Sequence, residues 1–166
     1  MIYVFDTSSI RSLQHIFPSV FKSIWSNLET LVEQQQVIST REVFNELERQ
    51  DVSEEVLSWA KDHKLIFATP VAPELQFVAD IFKVNHFQAL IGAQQRLKGT
   101  PVADPFVIAC AKIRGGTVVT EEGWQRPATH PPTPKPNAAK IPNVCAHFSI
   151  PCIDLEAFMQ QQDWKF

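Results

Sequence analysis

The sequence has few of the residues that cross-link small proteins or bind zinc. Its three cysteines, Cys110, Cys145 and Cys152, form no C-x-x-C pair, and its five histidines lack the spacing typical of zinc ligands. These features argue against a disulfide framework and a structural zinc site, and we expect reduced, packed thiols. Only five glycines occur, and none lies in the turn at 6–9 after the first apolar run. A glycine-rich, nucleotide-binding turn is therefore not expected.

Long apolar runs are also missing. No stretch approaches the ~20 uninterrupted apolar residues that cross a bilayer. The first residues, MIYVFDTSSIR, lack a basic segment and reach an acid at position six, which is untypical of a secretory signal. These features predict a protein that works in the cytoplasm without a membrane partner.

Neither sign of charge dominates the chain. The chain has 15 Lys and Arg residues and 18 Asp and Glu residues, which gives a net charge of −3. We therefore do not expect binding of nucleic acid through bulk positive charge. An enzyme whose acids converge on metal ions stays open, because the ions would supply the positive charge that a phosphate needs. The 166 residues, 45% of them hydrophobic, suffice for one compact domain spanning 1–166.

The sequence does contain an alternation of strand and helix patterns. The β-prone runs lie at 2–5, 37–38, 65–68, 117–119 and 151–153. Helical segments separate them, which favours right-handed crossovers and a mostly parallel sheet with helices on both faces, an α/β fold. In such sheets the ligand site lies beyond the carboxyl ends of the strands, so we expect the chemistry there.

Local signals predict where the first helices begin. Ser8 or Ser9 fits the N-cap of the first helix. Pro18 precedes an apolar stripe over 20–32 that is typical of a second helix. Residues 39–42, Ser-Thr-Arg-Glu, fit a capping box that would begin a third helix.

A buried helix is predicted after Asp104. The segment FVIACAKI that follows is apolar nearly all round. Asp104 and Pro105 suit the N-cap and first position of that helix. A capping role for this carboxylate does not exclude a chemical one.

Residues 123–140, GWQRPATHPPTPKPNAAK, interrupt the pattern. Five prolines in this stretch predict an extended, stiff loop insertion without regular structure. A surface excursion explains it, but its position directly after the fourth strand also leaves a functional role open.

Acidic residues recur where the predicted strands end. The positions are Asp6, Glu46 or Glu48, Asp104, and the pair Glu121 and Glu122. Helical periodicity does not choose between Glu46 and Glu48. Converging carboxylates repel one another, and a divalent cation is what usually makes such a cluster tolerable. Because hard oxygen ligands suit Mg²⁺ or Mn²⁺, the pattern predicts a site that activates water beside a phosphate.

Taken in order, these pieces resemble the PIN-domain family of metal-dependent ribonucleases. The matching segments are Val4-Phe5-Asp6-Thr7-Ser8, Glu46-Leu47, Ala103-Asp104 before FVIACA, and Val118-Val119-Thr120-Glu121-Glu122. The resemblance implies a three-layer, Rossmann-like PIN fold with a mostly parallel sheet in the order 3-2-1-4-5. It also implies a Mg²⁺ or Mn²⁺ site of Asp6, Glu46, Asp104 and a fourth acid, and it selects Glu46 because the family's acid precedes a leucine.

The sequence departs from the family at the fourth acid. The family often has Thr-x-Asp there, whereas this chain has Thr120-Glu121-Glu122. Register favours Glu122, but Glu is one methylene longer than Asp, so Glu121 is an alternative. Hydroxyl groups of Thr7, Ser8 and Thr120 are expected to orient ligands or water, although Ser8 equally suits a cap.

Substrate and partner contacts are less well defined. Candidate phosphate contacts are Arg11, Arg126, Lys135 and Lys140, and two further basic candidates, Arg96 and Lys98, precede the Asp104 helix. The resemblance implies an RNA substrate cut to 5′-phosphate and 3′-hydroxyl ends. Many PIN proteins are toxins of toxin–antitoxin pairs and many form homodimers, so an antitoxin partner and a dimer are expected. The tail that begins KIPNVC resembles a PIN-like group of unknown function.

The predicted function is a Mg²⁺- or Mn²⁺-dependent ribonuclease, with a toxin role as one form of it. The alternative is a PIN-like module that has lost hydrolysis and binds RNA or a protein. Two features of the sequence favour this alternative: the departure at the fourth acid and the negative net charge. A phosphotransferase of the haloacid-dehalogenase type fits poorly, because it needs a second acid two residues after Asp6, where Ser8 stands.

Overall fold

The computed structural model of the chain describes residues 1–92, 97 and 102–165. The strands are β1 (Tyr3–Phe5), β2 (Val37–Thr40), β3 (Phe67–Ala68), β4 (Thr117–Val119), β5 (Trp124–Gln125), β6 (Thr133–Pro134) and β7 (Cys152–Ile153). The α-helices are α1 (Thr7–Ser12), α2 (Lys22–Glu33), α3 (Arg41–Arg49), α4 (Glu54–Asp62), α5 (Ala72–Phe82), α6 (Asp104–Arg114), α7 (Ile141–His147) and α8 (Leu155–Gln161). None of the helices in the described residues is long and apolar enough to span a lipid bilayer.

Five strands form one parallel sheet in the order β3-β2-β1-β4-β7. Because β7 is the fifth of these strands along the chain, the order is the expected 3-2-1-4-5. The predicted α/β fold class with a mostly parallel sheet is confirmed. Strand β1 lies at the centre, between β2 and β4, and its residue Phe5 is in register with Val119.

The centre of the sheet is covered on both faces. Every residue of β1 and of β4 is buried, as expected for a parallel sheet between helices. Tyr3 and Phe5 project to one face and pack edge-on against Phe158 of α8, with ring centroids 4.9 and 5.0 Å apart. Val4 projects to the other face by alternation and is fully buried.

Helix α6 is as deeply buried as its composition predicts. Val107, Ile108 and Ala109 have no exposed surface, and the helix packs against β1, β2 and β4. Burial of one such aliphatic side chain contributes about 1.5–3 kcal/mol, so this helix anchors the sheet. The helix ends at Arg114 and is followed by the C-cap residue Gly115, whose left-handed φ of 65° suits a residue without a Cβ.

Two predicted helix caps are wrong, although the third helix begins within the predicted segment, at Arg41. Asp6, not Ser8 or Ser9, caps α1, and its carboxylate accepts a hydrogen bond from the Ser9 N–H at 2.8 Å. The predicted capping box at 39–42 does not form, because β2 continues through Thr40 and no side chain caps α3.

Helix α2 also begins later than predicted. The residues after Pro18 form a turn, in which the Phe21 N–H donates to the Phe17 carbonyl at 2.8 Å. The helix starts at Lys22, and Val20 and Phe21 are exposed rather than part of its buried stripe.

The proline-rich segment 123–140 has more regular structure than predicted. Strands β5 and β6 pair within it as a two-stranded antiparallel sheet, with Trp124 opposite Pro134. Trp124 is buried, and its indole N–H donates to the Thr120 carbonyl at 2.8 Å. Two-residue strands need few backbone donors, so the prolines do not prevent this pairing.

Candidate metal centre

A pocket of about 360 Å³ opens at the carboxyl ends of β1 and β4. Four acidic side chains line it: Asp6 after β1, Glu46 on α3, Asp104 at the start of α6, and Glu122 after β4. We call this cavity the acidic pocket, and these four side chains are its acids. They come from four distant parts of the sequence, and the parallel topology brings them to the edge of the sheet where ligands bind.

Both carboxylate oxygens of Asp6 accept hydrogen bonds. It is 3% exposed, and both of its oxygens accept hydrogen bonds from the Ser8 hydroxyl, at 2.9 and 2.8 Å. The Thr120 hydroxyl donates to Oδ2 at 2.6 Å. Burial raises the pKa of Asp6 to about 6, and the hydrogen bonds from Thr120, Ser9 and Ser8 oppose that rise.

Glu46 joins three elements. The Thr7 hydroxyl of α1 donates to Oε2 at 2.5 Å, and the Ala103 N–H before α6 donates to Oε1 at 2.8 Å. Both carboxylate oxygens are thereby oriented. Glu48, two residues later, is exposed and lines a different groove beside Phe44 and Lys64. The structure therefore places Glu46 at the pocket and Glu48 away from it.

Asp104 does not cap α6. Ala103 occupies the cap position with a helical backbone, and Asp104 is the first helical residue, so the predicted capping role is wrong. Within the described residues, no hydrogen-bond donor reaches the Asp104 carboxylate. Burial and, after it, the negative charges of the three other acids of the pocket raise its pKa to about 8, and the positive charge of Lys140 opposes that rise.

Glu122 lies at the mouth of the pocket. Its side chain is 51% exposed, and its Oε1 lies 3.7 Å from an Nη of Arg11. Arg11 also donates to the Gln50 side chain at 3.0 Å. The Glu122 backbone N–H donates to the Thr120 hydroxyl at 3.2 Å, so Thr120 links this acid to Asp6.

Glu121 and Arg126 lie outside the pocket, which corrects two predictions. Glu121 Oε1 accepts a hydrogen bond from the Leu155 N–H at 2.7 Å, and its Oε2 lies 3.1 Å from Arg126. Arg126 also donates to the buried Asp154 at 2.8 Å. Because the start of α8 engages both side chains, neither Glu121 nor Arg126 lines the pocket, where the sequence predictions place them.

Asp154 belongs to a second acidic grouping. It caps α8 by accepting from the Ala157 N–H at 2.8 Å, and its Oδ1 lies 3.6 Å from His130. His130 is also 3.9 Å from Glu156. We call this grouping the paired cluster; it consists of Glu121, Arg126, His130, Asp154 and Glu156.

The two acidic groupings differ in the distances between their ligand atoms. In the part of the chain that the structure describes, the one set of three whose ligand atoms all lie within 4.8 Å of one another is His130, Asp154 and Glu156. The acids of the acidic pocket are spread more widely, as repulsion between like charges favours. In the paired cluster, Arg126 already supplies a positive charge to Asp154, so a metal would have to compete with it.

The donor set of the acidic pocket fits a hard divalent cation. It offers carboxylate oxygens, and the described residues that line it include no sulfur or imidazole ligand. Such ligands suit Mg²⁺ or Mn²⁺ better than zinc.

Basic side chains also line this pocket, namely Arg11, Arg49 and Lys140. Lys135 does not line it, and the candidates Arg96 and Lys98 lie outside the described residues. Arg49 and Gln50 were missed by sequence reasoning, although they follow Glu46 by three and four residues and so share its helix face.

Two solved structures are similar to this chain. One is VapBC2 from Rickettsia felis, which was solved bound to a DNA fragment from their promoter. Its sequence identity to this chain is 17% and the TM-score is 0.45. The match covers 74% of this chain and 88% of that chain. The other is FitAcB from Neisseria gonorrhoeae, with 15% identity, 73% and 88% coverage and a TM-score of 0.41. No curated protein matches the sequence. Residues 3–166 match the family described as a domain of unknown function, DUF4411, and the chain belongs to that family.

Proposed function

We propose that this protein is a Mg²⁺- or Mn²⁺-dependent ribonuclease that hydrolyses RNA phosphodiester bonds at the acidic pocket. The observation that carries the proposal is the state of Asp104. This carboxylate has three acids around it, and no hydrogen-bond donor reaches it from the described residues. An arrangement of that kind costs stability unless a cation compensates it, so a cation-binding role explains why it is kept.

Asp6, Glu46, Asp104 and Glu122 would hold the metal. When bound there, Mg²⁺ or Mn²⁺ supplies Lewis acidity, which makes water a better nucleophile and stabilises charge on phosphoryl oxygens. Asp104 is the residue on which this role depends most, because the three other acids have polar partners in the protein.

Hydroxyl groups behind the carboxylates orient them. Ser8 and Thr120 hold Asp6, and their hydrogen bonds favour its charged form. Thr7 holds Glu46 from the side of α1. Outer hydrogen bonds of this kind typically change metal affinity or activity by 10- to 100-fold when they are removed.

Cations at the mouth would receive the polyanionic substrate. Arg11 is exposed enough to move from Glu122 to a phosphate, since its side chain is 39% exposed and the ion pair is as long as 3.7 Å. Contacts of this type position the backbone without reading its sequence.

The test is a cleavage assay on 5′-labelled single-stranded RNA with Mg²⁺ or Mn²⁺. We expect Glu46→Gln and Asp104→Asn each to reduce the rate by at least about 100-fold, because each removes a charge from the site. Glu48→Gln, a matched change on the same helix, should leave the rate unchanged. Equal rates for the Glu46 and Glu48 variants would refute the proposal.

We further propose, from the resemblance to PIN domains, a toxin role in the cytoplasm with an antitoxin partner and a homodimeric state. The whole of 1–166 would then act as one PIN-like domain, with 123–140 as an insertion. Expression of the wild-type chain should arrest growth, and Asp6→Asn should relieve the arrest. Growth that is unaffected by an active wild-type enzyme would remove the toxin role and leave the nuclease.

The alternative is a module that binds RNA or a protein without hydrolysis. Its sequence basis is the pair Glu121 and Glu122 in place of the family's Thr-x-Asp pattern. RNA binding by the wild type, with no metal-dependent cleavage under any condition, would favour this alternative over the nuclease.

A further inference from the structure

The proline-rich segment 123–140 begins and ends at the acidic pocket. Glu122, the residue before it, lines the pocket, and so does Lys140, its last residue. The segment therefore returns the chain to the place where it left.

Backbone and side-chain hydrogen bonds fasten the base of the segment. The Lys135 N–H donates to the Gly123 carbonyl at 3.0 Å, and Asn143 donates to the Lys135 carbonyl at 2.8 Å. Asn143 also accepts from the Lys140 N–H at 3.2 Å, at the start of α7. The Lys140 carbonyl accepts from the Asn143 and Val144 N–H groups at 3.0 and 3.1 Å, so both backbone polar groups of Lys140 are hydrogen-bonded.

Gly123 allows a close approach between the two ends. Its φ of +81° is left-handed, and a Cβ at this position would lie 2.7 Å from the Lys140 Cβ and 2.8 Å from the Pro142 Cδ. A side chain at residue 123 would therefore push Lys140 away. Gly115 also has a left-handed φ, of +65°, but a Cβ there would meet nothing within 4 Å.

The Lys140 side chain is exposed at the pocket. Its positive charge acts on Asp104, but no carboxylate of the described residues lies within ion-pair distance of its ammonium group. The acids around it would repel a polyanion, so a cation here offsets that repulsion at the place where a phosphate must come close.

We propose that the 123–140 segment holds Lys140 at the rim of the acidic pocket, where its ammonium group binds a phosphate oxygen of the RNA substrate. This inference rests on the proposed function. It assigns the insertion a task in substrate binding and makes Lys140 a contact that does not hold the metal.

The first test measures the affinity of the protein for a ten-nucleotide single-stranded RNA. Ca²⁺ replaces Mg²⁺ to suppress cleavage, and gel electrophoresis verifies that the RNA stays intact. We expect Lys140→Gln to weaken binding about tenfold, since it removes a charge-assisted hydrogen bond. The slope of log affinity against log salt concentration should fall by about 0.7, the value for one phosphate contact on a single strand. Lys140→Arg should retain the affinity.

The control is Lys22→Gln, which removes the same charge from an exposed lysine outside the pocket lining. It should change neither the affinity nor the salt slope. A Lys140→Gln protein that binds RNA like the wild type, with the same slope, would overturn the inference.

Metal binding separates a phosphate contact from a structural role. Titration calorimetry with Mn²⁺ and no RNA should show that the Lys140→Gln variant binds Mn²⁺ at least as tightly as the wild type does. Removal of the positive charge of Lys140 cannot weaken the electrostatic attraction of the site for a metal cation. Weaker Mn²⁺ binding would show that Lys140 supports the site itself, which would contradict the phosphate contact.

The role of the segment is tested by Gly123→Ala against Gly115→Ala. Both add a methyl group at a left-handed position, but only the first displaces Lys140. We expect Gly123→Ala to lose RNA affinity about as much as Lys140→Gln does, and Gly115→Ala to keep it, with folding checked by circular dichroism. If Gly123→Ala folds and binds RNA normally, the positioning role is wrong; if it does not fold, the Lys140 variants decide.

The outcomes distinguish this inference from the proposed function. A wild-type protein that neither binds nor cleaves RNA refutes both. A wild-type protein that cleaves RNA, together with a Lys140→Gln variant that matches it in affinity and salt slope, refutes the role of Lys140 alone.

Discussion

Glu121 and Glu122 are neighbours in the chain but belong to two different acidic groupings. In the paired cluster, Glu121 and Asp154 each have Arg126 and a backbone N–H as partners. In the acidic pocket, counting the described residues alone, the Glu122 carboxylate has one long ion pair and no donor reaches Asp104. Carboxylates with partners stabilise a fold, whereas those without partners cost stability and are retained for another purpose.

This comparison makes opposite predictions for mutations in the two groupings. Removing Glu121 or Asp154 should weaken the fold and leave the chemistry. Removing Asp104 or Glu122 should reduce the chemistry and leave the fold, or stabilise it.

The largest expected effect on stability is that of Asp154→Ala. The change removes the cap on the Ala157 N–H and leaves Arg126 without its buried partner. We expect a loss of about 3 kcal/mol in the free energy of unfolding, measured by urea denaturation. Glu156→Ala, whose side chain is 63% exposed in the same cluster, should cost no more than about 0.5 kcal/mol. Equal losses would contradict a structural role centred on Asp154.

The next effect concerns the pH dependence of the chelated protein. The pKa of Asp104 is about 8 in the folded chain, against an ordinary value of 3.8. Between these values the folded protein keeps a proton that the unfolded chain releases, so stability falls as pH rises. We expect the free energy of unfolding in EDTA to be lower at pH 8 than at pH 5, with Asp6 contributing up to its pKa of about 6.

Asp104→Asn should remove most of the pH dependence between pH 6 and pH 8. Because the side chain is partly exposed, we expect the variant to be about 1–2 kcal/mol more stable than the wild type at pH 8. Addition of Mn²⁺ at pH 8 should raise the unfolding midpoint of the wild type and have little effect on the variant. Wild-type stability that increases from pH 6 to pH 8 in EDTA would contradict the repulsion among these acids.

The smallest effect, and the sharpest comparison, is between Glu121→Gln and Glu122→Gln. Glu121→Gln should cost about 1 kcal/mol of stability, because it weakens the bonds to Leu155 and Arg126, and should leave RNA cleavage within about twofold. Glu122→Gln should change stability by less than about 0.5 kcal/mol and lower the cleavage rate about tenfold. Reversal of the two patterns would show that the fourth acid is Glu121.

Much of the fold was predictable because its signals are local. The short runs before Asp6 and Glu121 are β-prone, and the helix after Asp104 is apolar nearly all round, so both parts were identified from periodicity and composition. Helix starts were less predictable. Asp6 caps α1 in place of Ser8 because its carboxylate lies directly before the first free N–H groups, and several polar residues in a row satisfy the same cap pattern.

The sequence by itself determined that Asp6, Asp104 and one of Glu121 and Glu122 reach the same edge of the sheet, because parallel strands end at that edge and the helices that connect them begin there. Only the tertiary structure decided which glutamate faces the pocket, since Leu155 and Arg126 engage Glu121 from distant parts of the chain. It also decided that Asp104 caps nothing and that Lys140, seventeen residues after Gly123, lies at the pocket. Side-chain direction depends on partners remote in sequence, and no local pattern encodes them.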